Sequence, residues 1–199
     1  MLSDHHERRP LLTDADVLEA LAHPVRLDLL TYLMAAGPAT ASTCARAVGD
    51  TPSNCSYHLR TLARHGLVEP VPSDDRRQRP WRATITGFTI DANVDPDTPQ
   101  GRSNAAVMSA SLALKQGLLR DYVATRDQVS DAWREADNAS SYTLHVTPAE
   151  LSELNARIDA LVRPLIAAHR TDAPSSAELV HLNVFAFPRT GEPWKRPRR

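Results

Sequence analysis

The sequence predicts a mainly helical α+β fold: a helical unit closed by a basic β-hairpin, followed by a long helix and a small β-α-β unit. Three observations predict it. Apolar residues recur at helical spacing through the first third of the chain. Two strand-type runs, 67–71 and 81–86, enclose the polar stretch PSDDRRQRP. A second pair of strand-like runs, 141–146 and 179–187, brackets an amphipathic helix. At 199 residues and 42% hydrophobic content the chain can bury a core.

The elements follow in order. Residues 1–13 read as a flexible polar arm. Val17, Leu18 and Leu21 make one helix face between residues 14 and 21, and Val25, Leu29, Leu30 and Leu33 make another between 24 and 36. Pro24 opens the second helix, where its missing N–H is harmless, and Gly37-Pro38 ends it. Residues 40–48 form a short third helix closed by Gly49. After a tight turn, Thr51 is the expected N-cap and Pro52 the first residue of a fourth helix that stops at Gly66. The hairpin completes a unit spanning 14–90. Residues 91–101, rich in Pro and Asp, read as a linker.

From Arg102 to about Asp137, Met108, Leu112, Leu119, Tyr122, Val129 and Trp133 fall on heptad-like spacings, a stripe expected to face another helix and to serve dimerisation. Thr147-Pro148-Ala149-Glu150 is a capping box that opens a helix carrying Leu151, Leu154, Ile158, Leu161 and Leu165, which Pro164 shortens. With its flanking strands it forms the β-α-β end of a dimerisation and sensing region, 102–188; parallel and antiparallel pairing both remain open. Residues 189–199 form a basic tail.

Charge favours a nucleic-acid partner only locally. Against 23 basic residues stand 24 acidic ones, a net −1. Between Ser53 and Ile90, however, six arginines (60, 64, 76, 77, 79, 82) face three acids (69, 74, 75), a local +3 before histidines. The fourth helix opens with small polar residues, Ser53, Asn54 and Ser56, and with Tyr57, groups able to approach and contact base edges in a major groove roughly 12 Å wide. Arg60 and Arg64, with Arg76, Arg77, Arg79 and Arg82 of the hairpin, are suited to phosphates. The two cysteines, Cys44 and Cys55, suit neither a disulfide framework nor paired metal motifs. With no apolar signal core and no run near ~20 apolar residues, a reducing cytoplasm is the expected compartment.

LEALAHPVRLDLLTYL, TPSNCSYHLRTLARHGLVEP and QRPWRATITG resemble, in turn, the opening segment, the recognition helix with first wing strand, and the second wing strand of the ArsR-type winged helix-turn-helix regulators. The resemblance covers roughly residues 14–90. It implies a homodimer that binds a palindromic operator in double-stranded DNA, usually as a repressor released by an effector. The chain departs from the metal-sensing members: Thr40 and Ser42 stand where those carry a Cys-x-Cys pair, and no histidine occurs between His65 and His145. No metal and no cofactor are therefore expected.

Plainer roles compete at several positions. Cys44 and Cys55 fit a core as small hydrophobes, His58 packs inward by the same resemblance, and Trp81 anchors the wing. Asp4-His5-His6-Glu7 reads as a solvated terminus rather than a metal cluster. A pocket lined by Tyr122, Trp133, Phe185 and Phe187 is the candidate place for a small apolar effector. Two other function classes stand beside a DNA-binding regulator. One is a winged-helix module that binds protein without a specific DNA site. The other is an enzyme, which the sequence disfavours: G-x-S-x-G, H-E-x-x-H and phosphate-loop motifs are missing, and His145 and His181 sit on separate predicted strands.

Overall fold

A computed structural model describes residues 10–72, 79–91, 93–166 and 173–188. Strand β1 (Leu11–Leu12) leads into helices α1 (Ala15–Leu21), α2 (Pro24–Ala36), α3 (Ala41–Val48) and α4 (Pro52–Arg64). The sequence sets each start. The Asp14 carboxylate accepts the N–H groups of Asp16 and Val17, the Thr40 hydroxyl that of Thr43, and the Thr51 hydroxyl that of Asn54. Pro24 and Pro52 occupy first-turn positions. Gly49 ends α3 at φ +69°, a left-handed conformation that glycine adopts without steric cost.

Leucines from three helices, α1, α2 and α4, meet α3 in one core. Leu18, Leu21, Leu29, Leu30, Leu33, Leu59 and Leu62 are fully buried, together with Cys44, Cys55 and Val68. Each such leucine contributes roughly 1.5–3 kcal/mol on transfer from water.

The hairpin pairs β2 (Val68–Pro70) with β3 (Trp81–Ala83) antiparallel, so that Glu69 faces Arg82 and Pro70 faces Trp81. Trp81 also exchanges two backbone hydrogen bonds with Ala39, 2.8 and 2.9 Å long, which fasten the hairpin to the end of α2. Half-buried against the core, Trp81 anchors the wing as expected. Beyond it, β4 (Thr89–Ile90) runs parallel to β1, so the last residues of the expected N-terminal arm are tied into a two-stranded sheet.

Helix α5 (Pro99–Thr125) begins inside the segment read as a linker, because Thr98 caps it. Its first half packs on α1 and α2, with Val107 fully buried in the N-terminal core and the Asn104 amide donating to the Asp91 carbonyl. Gly101 lies so close to the preceding loop that an added Cβ would meet the Asp95 carbonyl oxygen at 2.0 Å.

Two expectations for the second half need correction. The long helix does not run unbroken to Asp137. It stops at Thr125, a 3-10 turn follows at Arg126–Gln128, and a separate α6 (Asp131–Ala136) folds back. The Tyr122 hydroxyl and the Arg126 guanidinium both bind the Asp137 carboxylate, which fixes the reversal. Val129 and Trp133 therefore lie beyond the break, and the straight stripe is confined to Met108, Leu112, Leu119 and the Tyr122 turn. The second correction concerns the β-α-β end. Its helix exists as α7 (Pro148–Val162), with both halves of the capping box formed by Thr147 and Glu150 and a 3-10 turn at Arg163–Leu165 where Pro164 stands. Its strands do not: residues 141–146 and 179–187 pair with no described residue. A run of alternating residues becomes a strand only when another edge takes up its backbone hydrogen bonds, and within this one chain the second run lies along α5 instead, its Phe185 ring 5.2 Å beneath the Lys115 ammonium.

Candidate nucleic-acid interface

Helix α4 divides its residues cleanly. Cys55, His58, Leu59 and Leu62 point into the core and hold the helix, while Ser53, Tyr57, Arg60 and Arg64 are exposed. Spacings of four, three and four residues place those four on one face. Tyr57 is 55% exposed, which for a large aromatic ring on an otherwise well-packed helix marks a presented side chain. With Thr61 and Ala63, the Tyr57, Arg60 and Arg64 side chains border a shallow concavity of about 520 Å³. Ser56 is half-buried beside this face.

Several side chains are held by neighbours. The Arg64 guanidinium donates to the Thr61 hydroxyl at 3.0 Å, and that hydroxyl donates back to the Tyr57 carbonyl. The Asn54 amide nitrogen donates to the Asp50 carboxylate at 2.7 Å, which leaves its amide oxygen and second N–H for other contacts. The Thr51 backbone N–H and then the Asn54 amide hold the Asp50 carboxyl below its usual range. In the wing, Arg82 forms an ion pair with Glu69 at 2.6 Å and is partly neutralised, whereas Arg79 is exposed. Arg76 and Arg77 lie outside the described residues.

Sequence reasoning missed three partnerships. Glu69–Arg82 follows from hairpin register, which a nine-residue polar connection did not fix. Asp50–Asn54 is the i, i+4 pairing across a helix start that the Asp-Thr-Pro turn already permits. The third is an aromatic contact at the base of α4: the rings of His58 and His23 lie 4.5 Å apart, centroid to centroid, and neither Nδ1 has a hydrogen-bond partner among the described residues. Burial, then the neighbouring His23 and Arg26, push the His58 pKa below its usual value, against a weaker opposite pull from Asp50.

The cysteines occupy the core as small hydrophobes. Both are free and fully buried, and burial pushes the Cys44 thiol up to about 11, so it stays protonated near neutral pH. Thr40 caps α3. A larger cavity of about 590 Å³ lies between α2, α3 and α5, bordered by Asp28, Tyr32, Val48, Leu114, Leu118 and His181. None of Tyr122, Trp133, Phe185 and Phe187 borders it. Of the expected dimer stripe, Met108, Leu112 and Leu119 are exposed on α5.

A short helix, a tight turn, a second helix with an exposed polar face, and a β-hairpin wing define the class of the N-terminal domain. Residues 21–71 match the family described as a helix-turn-helix domain, ArsR-like in kind, and a further C-terminal region follows it. The match spans α2, α3, α4 and the first wing strand, and it points to DNA-binding transcriptional regulation. No curated protein matches this chain. Among the described residues no helix is long and apolar enough to cross a membrane.

Proposed function

We propose that this protein is a homodimeric, sequence-specific transcriptional repressor that binds a palindromic operator, with α4 in the major groove and the wing on the adjacent backbone. One observation carries the reading: α4 is anchored by a buried inner face of Cys55, His58, Leu59, Thr61 and Leu62 and presents Ser53, Tyr57, Arg60 and Arg64 together on its outer face. Such a helix fits a major groove roughly 12 Å wide, and its arginines reach flanking phosphates. Arg79, with Arg76 and Arg77 beside it in sequence, supplies the wing's contact with the backbone. Met108, Leu112 and Leu119 of α5 supply an apolar seam for the second subunit, so that two reader helices address two half-sites. Release by a small-molecule effector completes the reading.

Binding of the purified protein to DNA upstream of its own gene, measured by fluorescence anisotropy against scrambled DNA over a salt series, tests it. Selective binding that weakens steeply with salt is the expected result. Arg60→Ala should weaken binding about equally on all sequences and lower the salt slope by about one, while Tyr57→Ala should change sequence preference. Equal, weak binding to both DNAs would favour a protein-binding winged helix instead, a reading that the Glu69–Arg82 neutralisation in the wing supports.

A further inference from the structure

The second half of the chain carries two β-type segments without strand partners among the described residues and one amphipathic helix whose apolar stripe is only partly buried. Tyr142, Leu144 and Val146 alternate in the first segment, and Val180, Leu182 and Val184 in the second. All six are at least 43% exposed. No residue of 141–146 or 178–188 makes a backbone–backbone hydrogen bond to another described residue. Helix α7 between them has no fully buried residue; Leu151, Leu154, Ile158 and Val162 are only partly buried, and Leu161 is 76% exposed. An unpaired, apolar, alternating segment is a template for another strand, and a helix with one apolar stripe needs a layer to lie on.

We propose that a second copy of this chain covers these segments by strand exchange: residues 141–146 of one subunit pair with residues 179–187 of its partner, and α7 packs on the two-stranded sheets so formed. Three observations select a second copy. Each chain holds one of each segment, so a two-fold axis satisfies both edges at once with a self-complementary contact. Within one chain the segments are kept apart, since the second is drawn to α5 by the Phe185–Lys115 contact. Lys115 stands between Leu112 and Leu119 on α5, so the second segment borders the exposed α5 seam, and one continuous surface includes both. The exchange presupposes the dimer proposed above but not its DNA binding.

Hydrogen exchange on the full-length protein, read by mass spectrometry across a dilution series with sedimentation at each concentration, tests it. Amides of 141–146 and 179–187 should exchange on the order of tenfold or more slowly in the dimer than in the diluted monomer. A Thr143→Pro variant, which removes one backbone donor, should weaken dimerisation by a similar factor while the N-terminal domain melts as before. Protection of both segments in the monomer would mean pairing within one chain and would overturn the exchange. A dimer protected only along α5 would overturn it while leaving the dimer intact, and a chain that stays monomeric would remove both.

Discussion

Leucines at helical spacing end differently in the two halves of this molecule. Leu59 and Leu62 of α4 are fully buried, whereas Leu161 at the end of α7 is 76% exposed and Leu165 beside it 59%. Both helices start on a threonine cap and a proline, and both carry an apolar stripe. The difference is the neighbourhood. Around α4 the chain supplies α2, α3 and the first wing strand within a few dozen residues, whereas α7 packs on no other described helix or strand to a comparable extent. An amphipathic pattern states that a face must be covered; what covers it depends on which elements the chain, or another copy of it, brings there.

The largest effects that test this contrast are core truncations. Leu59→Ala should lower stability by about 2–5 kcal/mol in a denaturant melt, while Leu161→Ala in the diluted, monomeric protein should cost less than about 0.5 kcal/mol. Comparable losses at the two sites would show that α7 has a cover within its own chain. Next comes the joint between the halves. Gly101→Ala forces a Cβ onto the Asp95 carbonyl and should cost about 1–3 kcal/mol by thermal unfolding. Little change would mean that the start of α5 is not tied to the loop before it.

The caps are a finer probe. Thr51→Ala should cost about 1 kcal/mol of global stability, because α4 is part of the core. Thr147→Ala removes the same kind of cap from α7, yet in the monomer its effect should appear as lost helicity in circular dichroism and leave the N-terminal melting midpoint unchanged. The smallest effect concerns His58. Above pH about 6.5 folded and unfolded chains both carry a neutral imidazole there. Below it the unfolded chain takes up a proton that the buried, depressed His58 resists, so this contribution to stability falls as the pH drops. His58→Leu should flatten that part of the pH–stability curve. A slope of the opposite sign would mean that Asp50 governs the site.

The elements of the N-terminal domain were legible because each signal was local. Thr51-Pro52 marks the start of α4, Gly49 the end of α3, and the spacing of Val25, Leu29, Leu30 and Leu33 the inner face of α2. The exposed face of α4 was legible for the same reason: once one stripe is committed to the core, Ser53, Tyr57, Arg60 and Arg64 have to face outward. The occupation of particular side chains was not. That Asn54 gives its amide proton to Asp50, and that Glu69 neutralises Arg82, depends on loop conformation and strand register.

The sequence by itself determined the helix boundaries of residues 14–66, the wing, the capping box of α7 and the polar character of the reader face, because caps, prolines, glycines and 3.6-residue periodicity act within a few residues. Only the tertiary structure decided that α5 starts early and joins the N-terminal core through Val107, and that the helix breaks after Thr125 where Tyr122 and Arg126 capture Asp137. It alone left the two alternating segments without strand partners. These are outcomes of contacts between residues distant in sequence, or between chains, and a strand exists only when a second edge accepts its hydrogen bonds.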